Sequence, residues 1–427
     1  MSRKEYYDPI VQKSTSYNPY IAGPYVALKE PIDVALLSEV IEELRTRFPY
    51  FYGKVNIEDD DLVIVPNPLP IVVRDSWEPI KLFSNESNYH FMSVKVDGNR
   101  FVIEFSHALS DGTGFLAYLK SLLFCYLTRK TGKKFDPTGF HLPGEEIPES
   151  ETGNPFAGFD LDSVELSVPD TLSPDQIYHF SEKKIGERNH NNVVFMQMPE
   201  STVMNYCKQK CTTPNVLIST LLVRAMRRFD PESKKVIRVG VAIDGKSIVG
   251  NMNNYRAFPE FAHLDYYKEQ ENIDLEETLK TKRDQLKAEA SVEKILRLVK
   301  GVKLGWEMLS QFPLQTKIDL TQKAFIQRAQ TVSVVVSYVK TKTFGPLDPY
   351  VQELYGIAEP CYEDVVCELK CLNNTFFLSY IQSFEDKTLF NFLLNEFEKI
   401  NIPYEIKRIE PLILSGVRFD ELQGLNI

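Results

Sequence analysis

The apolar and polar positions of the chain switch between two periods, and each switch marks the edge of a predicted element. Residues 33–48 place Val34, Leu37, Val40, Ile41, Leu44 and Phe48 at helical spacing, with Asp33 as N-cap and Pro49 as the stop. Short strands are predicted at 50–57, 61–65 and 91–97. The last passes through the turn Asp97-Gly98-Asn99 into a strand in which Phe101, Ile103 and Phe105 alternate with Val102, Glu104 and Ser106, so the two form a hairpin. A helical pattern takes over near Thr113 and runs to about Lys130, where Gly132 ends it.

Residues 136–175 keep no period. Pro137, Pro143, Gly144, Pro148 and Gly153 sit there among acidic residues, the composition of a crossover linker. Beyond it the pattern predicts a strand at 192–198, a helix at 200–210 and a core helix from Pro214 to Phe229, which Thr213 caps. A buried strand follows at 236–243, then one Lys- and Glu-rich amphipathic helix across 268–300. A β run through TVSVVVSYV, the strand TFFLSYIQ, a helix from Lys387 to Ile400 and a strand near 404–409 complete the chain. These elements predict an α/β protein of mixed sheets with packed helices, divided into an N-terminal domain (1–150), a crossover linker (151–190) and a C-terminal domain (191–427).

Composition narrows the function classes. The chain has 427 residues, 43% hydrophobic and 25% charged, enough to bury two cores. Its 49 Lys and Arg against 59 Asp and Glu give a net charge of −10, which opposes nonspecific binding to nucleic acid. No apolar run approaches a membrane span. The opening MSRKEYYDPIVQKSTSY has no apolar core or cleavage site, so a cytoplasmic location is expected. The cysteines form no C-x-x-C pair and read as reduced thiols, with Cys207 and Cys211 on one helix face and Cys361, Cys367 and Cys371 in strands or loops. No metal site is expected.

Candidate chemistry concentrates where the hairpin ends. His107 follows the strand directly, Asp111 comes four residues later, and Gly112 and Gly114 open the next helix. An imidazole titrates near working pH, so a fixed one is a competent general base for a hydroxyl or amine. It is equally the residue of an ordinary connecting loop. Asp111 could bond the ring or, turned away, pair with a cation and stiffen the turn, which Gly112 helps to shape.

The order strand, His-Ala-Leu-Ser-Asp-Gly, helix resembles the His-x-x-x-Asp-Gly signature of the chloramphenicol-acetyltransferase-like acyltransferase superfamily. That superfamily includes alcohol acetyltransferases, plant BAHD enzymes and the condensation domains of peptide synthetases. The run VIRVGVAI, Asp244-Gly245-Lys246, Asn253-Asn254-Tyr255 is similar to the family's strand, Asp-Leu-Arg and Arg-Asn-Phe passage, with Asp244 and Asn254 matching. The arginine is missing, and Gly245 and Lys246 stand nearest to it. LRTRFPYF resembles the family's N-terminal helix end, so Arg47 and Lys246 are both candidate partners of Asp111. The segment TVSVVVSYVKTKTFGPLDPY resembles the strand that crosses between domains, where many members carry a polar pair; here the pair is Ser337-Tyr338.

Ser106 stands where condensation domains usually carry a second histidine, and Phe344-Gly345-Pro346 replaces the BAHD Asp-Phe-Gly-Trp-Gly segment. The free-standing microbial alcohol acetyltransferase-like branch fits best. The resemblance implies two similar mixed-sheet domains meeting at a tunnel, where acyl-CoA, as co-substrate rather than bound cofactor, meets a small alcohol or amine at His107. His107 would be the general base and Asp111 structural. An acyl transfer needs a donor for its oxyanion, and Ser337, Tyr338 and Asn254 are the candidates. Two alternatives remain: a silent member of the fold serving as a binding or scaffold protein, and a condensation-type enzyme taking its acyl group from a carrier protein.

Overall fold

A computed structural model describes residues 20–166, 172–188, 191–340, 343–360, 363–412 and 414. The first half contributes β1 (Ile21–Leu28), α1 (Val34–Leu44), the hairpin β2 (Gly53–Glu58) and β3 (Asp61–Pro66), β4 (Val73–Arg74), β5 (Met92–Asp97), β6 (Arg100–Ser106) and α2 (Gly112–Thr131). After α3 (Glu182–Ile185), the second half contributes β7 (Asn192–Pro199), α4 (Glu200–Gln209), α5 (Pro214–Phe229), β8 (Ile237–Asp244), α6 (Gly245–Ile248) and β9 (Pro259–Tyr266). Helices α7 (Leu275–Glu289), α8 (Val292–Leu309) and α9 (Leu314–Ala329) follow, then β10 (Val334–Tyr338), β11 (Val351–Ala358), β12 (Val365–Leu372), β13 (Thr375–Gln382), α10 (Thr388–Lys399) and β14 (Glu405–Pro411).

Two mixed sheets organise these elements. One has the order β11-β1-β6-β5-β4 and the other β14-β7-β13-β12-β10-β8-β9. Phe101, Ile103 and Phe105 of β6 join Leu37, Ile41 and Leu44 of α1 and Phe115, Leu119 and Leu122 of α2 in one core, but Val102, Glu104 and Ser106 on the alternate face are buried too, so the strand is covered on both faces and not half-buried as its alternation predicts. A second core gathers Val216, Leu217 and Leu221 of α5 with Val239 and Val241 of β8 and Phe376 and Leu378 of β13. Among the described residues, no helix is long and apolar enough to cross a membrane.

Strand β11 comes from the later part of the chain yet pairs antiparallel with β1, from Ala22 opposite Ala358 to Leu28 opposite Val351. It is therefore β11 that joins the first sheet, and the run through β10 stays in the second. Val334, Val335 and Val336 are apolar on both faces and buried, which suits an interior strand lying parallel to both β8 and β12.

Other expectations also shift. The helix expected across 268–300 is two, because Ser291 accepts the amide of Lys294 and starts α8, as Asp274 starts α7. Helix α9 lies where the sequence pattern predicts no element. Thr213 holds the N-cap position of α5 without capping it; its hydroxyl donates to Asn215 Oδ1 at 2.6 Å. Within the expected linker, Glu149–Glu151 forms a 3-10 turn whose Glu151 is buried. Cys211 lies beyond the end of α4 with φ 49°, so it does not share a helix face with Cys207, and Cys361 lies outside the described residues. Cys125, Cys207, Cys211 and Cys367 are free thiols.

Candidate functional site

Strand β6 ends by handing its last amide to β1: the His107 N–H donates to the Tyr20 carbonyl at 2.9 Å. The imidazole lies 4.7 Å from the Tyr20 ring and 6.0 Å from Phe105, centroid to centroid. Its Nδ1 lies 3.1 Å from the Ser110 carbonyl oxygen. A carbonyl only accepts, so Nδ1 carries the proton and Nε2 keeps its lone pair. Burial holds the His107 pKa below the ordinary histidine value; the charge of Asp111 and the Ser110 carbonyl oppose this, and Lys370 adds to it. The neutral, Nδ1-protonated ring is thus the favoured form.

Asp111 faces away from the ring and ties the two halves together. As N-cap of α2, its Oδ1 accepts the Gly114 amide at 2.8 Å. Its Oδ2 accepts the Phe258 amide at 3.1 Å and meets Lys246 Nζ at 2.7 Å. Lys246 is fully buried and also donates to the Arg256 carbonyl at 2.6 Å. Ser110 adds a second tie, its hydroxyl donating to the Tyr255 carbonyl at 2.6 Å. Gly112 and Gly114 serve by their lack of a side chain, neither having a positive φ. A Cβ at Gly112 would stand 2.7 Å from Val339 Cγ2, and one at Gly114 would stand 2.6 Å from the Tyr255 oxygen.

Arg47 is not at Asp111. The residue is 1% exposed, and its guanidinium grips both oxygens of Glu151, at 2.7 and 2.8 Å. The linker supplies that nearer carboxylate, so Lys246 alone of the two candidates meets Asp111. Asn254 is likewise committed elsewhere. Its amide donates to the Ser150 and Gly153 carbonyls at 2.8 and 3.0 Å, and its oxygen accepts the Arg256 amide at 2.9 Å. It pins a loop and is not among the residues lining the cavity at His107.

That cavity, of about 170 Å³, lies between the two sheets, with His107, Asp111 and Gly112 on one side and Ser337, Glu368 and Lys370 on the other. Ser337 is buried and stands opposite Glu368 in the register of β10 and β12. Successive strand residues face opposite ways. Tyr338 accordingly borders the cavity but sets its ring 5.7 Å from Phe376, against the second core, where burial pushes its phenol pKa up.

Glu368 and Lys370 were not singled out in the sequence. They stand two apart on β12 and reach over Gly356 of β11, where a Cβ would lie 2.8 Å from Lys370 Cε and 2.9 Å from Glu368 Oε2. Burial raises the Glu368 pKa and lowers that of Lys370, each opposed by the other's charge. The available signal was the alternation Glu368, Lys370 inside the otherwise apolar strand VVCELKCL. Among the described residues, no cluster of three or more His, Cys, Asp or Glu side chains is placed to hold a metal ion.

No family model and no curated protein matches the sequence. Solved structures do. TRI101 of F. sporotrichioides, complexed with coenzyme A and T-2, superposes with a TM-score of 0.59 at 12% identity, over 92% of this chain and 98% of that one. The condensation domain from the Monacolin K polyketide synthase MokA gives 0.56 at 13% identity, over 93% and 95%. The TRI3 trichothecene 15-O-acetyltransferase from Fusarium sporotrichioides gives 0.52 at 9% identity, over 92% of each chain. What the chain shares with them is the fold, two mixed-sheet domains with packed helices of the condensation-domain and chloramphenicol-acetyltransferase-like kind.

Proposed function

We propose that this protein is an acyl-CoA-dependent acyltransferase that moves an acyl group, most simply acetyl, to a hydroxyl or amine of a small molecule. The observation that carries the reading is His107: a neutral imidazole with Nδ1 bonded to Ser110, set in a cavity between the two sheets. Two neighbours support the chemistry by what they are: one is a 15-O-acetyltransferase, and another was crystallised with coenzyme A. Of the superfamily's branches, the free-standing microbial alcohol acetyltransferase-like proteins remain the best fit, and a cytoplasmic location goes with that reading.

In this mechanism His107 Nε2 takes the proton from the acceptor O–H or N–H as the acceptor attacks the thioester carbon. The carbonyl oxygen becomes an oxyanion, for which the Ser337 hydroxyl and the Lys370 ammonium are the donors proposed. The C–S bond then breaks, the thiolate leaves, and the imidazolium returns its proton to sulfur, giving the acyl product and free CoA thiol. No covalent enzyme intermediate forms. Asp111 and Lys246 hold the loop that fixes Ser110 and hence the tautomer of His107. A cation in contact with Asp111 weakens the case for a silent scaffold, because the missing arginine is replaced in function by Lys246.

The resemblance to a condensation domain favours a second reading, in which the acyl group arrives on a carrier protein. Incubation with acetyl-CoA and a panel of alcohols and amines, following thiol release, tests the first. Release that depends on the acceptor and is lost in His107→Ala is expected. Turnover only with acyl-pantetheinyl carrier would establish the second reading, and ligand binding without turnover from either donor would establish the scaffold.

A further inference from the structure

A second cavity, of about 330 Å³, shares no residue with the one at His107 and lies among α5, α7, α10 and the segment after β9. Its volume is at the lower end for small-molecule sites. Helix α5 lines it with Thr220, Val223, Arg224, Arg227 and Arg228, at the i, i+3, i+4, i+7, i+8 spacing of one helix face.

The charges here are unbalanced in two ways. First, three cations share one carboxylate. Glu396 is met by Arg224 Nε at 3.0 Å, Arg228 Nη1 at 3.4 Å and Lys399 Nζ at 2.5 Å. Second, two buried cations touch no carboxylate. Arg227 is 5% exposed and, among the described residues, donates only to the carbonyls of Ser233, Lys235 and Tyr266, at 3.0–3.2 Å. Lys282 is 6% exposed and donates to the Asp265 carbonyl and to Gln285 Oε1. Among the described residues, no carboxylate stands within ion-pair distance of either, and Glu271, which also lines the cavity, pairs with Lys268. A buried charge without a counter-charge in contact is costly to fold, and burial lowers both pKa values accordingly. In a chain of net charge −10 such a concentration of positive charge is a local feature of this cavity.

We propose that this cavity binds a small phosphorylated anion, a diphosphate group either free or carried by a nucleotide. The charge-sharing arginines at the rim supply planar donor pairs that suit phosphate oxygens. Tyr267, exposed at the rim, offers an aromatic face to a base if one is attached.

Calorimetric titration of the full chain with inorganic pyrophosphate and, separately, with ADP, at constant ionic strength, tests this. Saturable binding of at least one probe is expected, weakened about tenfold or more in Arg224→Gln/Arg228→Gln. Tighter ADP binding identifies a nucleotide-borne diphosphate; equal or weaker ADP binding identifies the free ion. Circular dichroism checks that the double variant folds, and Lys399→Gln provides the same comparison if it does not. Absence of saturable binding by both probes overturns the proposal, as does an affinity that the substitutions leave unchanged.

Discussion

In the cavity at His107 a buried charge is matched across the two halves of the chain: Asp111 meets Lys246 at 2.7 Å. In the cavity on α5, among the described residues, Arg227 meets carbonyl oxygens, Lys282 meets a carbonyl, an amide oxygen and the face of the Tyr266 ring, neither meets a carboxylate, and Glu396 carries three cations. The difference separates two uses of buried charge. Matched pairs fix geometry, here the loop that presents a neutral imidazole, and they need no ligand to be stable. Unmatched cations leave an electrostatic demand that a ligand can meet.

The largest effect belongs to the neutral group inside the matched cavity. His107→Ala is expected to lower acyl transfer by about 10²- to 10⁴-fold with an unchanged melting curve. Steady-state rates on the folded variant check this; turnover within a few-fold of the parent protein would remove His107 from the mechanism.

Next comes the pair itself. Lys246→Met leaves the Asp111 carboxylate without its cation, and Asp111→Leu leaves a fully buried ammonium; each is expected to cost about 3–5 kcal/mol. Denaturant unfolding gives the values. The double variant should lose clearly less than the two losses added, because the pair is then absent from both sides. Strict additivity would show that the contact at 2.7 Å does not couple the halves. Arg47 provides a control, since it pairs with Glu151: Arg47→Met should destabilise without interacting with either substitution.

The pH profile sharpens the same contrast. The folded His107 pKa lies below its ordinary value, and only the neutral ring can accept a proton. The rate should therefore rise with pH, reach half its plateau below the ordinary histidine range near 6.5, and fall about tenfold per unit under that midpoint. Lys370 helps to lower this pKa, so Lys370→Met should move the midpoint upward. A midpoint that stays fixed would separate Lys370 from the imidazole.

Much of this arrangement was readable from periodicity alone, in the β5–β6 hairpin, the helix capped by Asp33 and the helix that begins at the motif. Those features are local, and their signals lie within a turn or a strand. The ties that build the site are not local. Asp111 reaches the Phe258 amide across 147 positions and Arg47 reaches Glu151 across 104, so sequence left both Arg47 and Lys246 open. Asn254 is a donor candidate through its match to the family's Arg-Asn-Phe passage, yet the carbonyls of Ser150 and Gly153 use its amide, and they lie in a stretch with no readable period. That β11, and not the run through β10, joins the first sheet has a similar reason: alternation reveals two faces but not which neighbour a strand will choose.

The smallest predicted effect tests that last point at one dipeptide. Ser337 and Tyr338 were equivalent candidates in the sequence, and alternation assigns them opposite faces without saying which face is the cavity. In the structure Ser337 lines the cavity beside Glu368, while the Tyr338 ring packs toward Phe376. Ser337→Ala should therefore lower kcat with little change in stability, by up to the roughly 10²-fold that a single oxyanion donor supplies. Tyr338→Phe keeps the packed ring and should change the rate by no more than about twofold. Measured side by side under saturating acetyl-CoA, a larger loss from Tyr338→Phe than from Ser337→Ala would reverse the assignment and place the phenol, rather than the serine hydroxyl, at the reacting carbonyl.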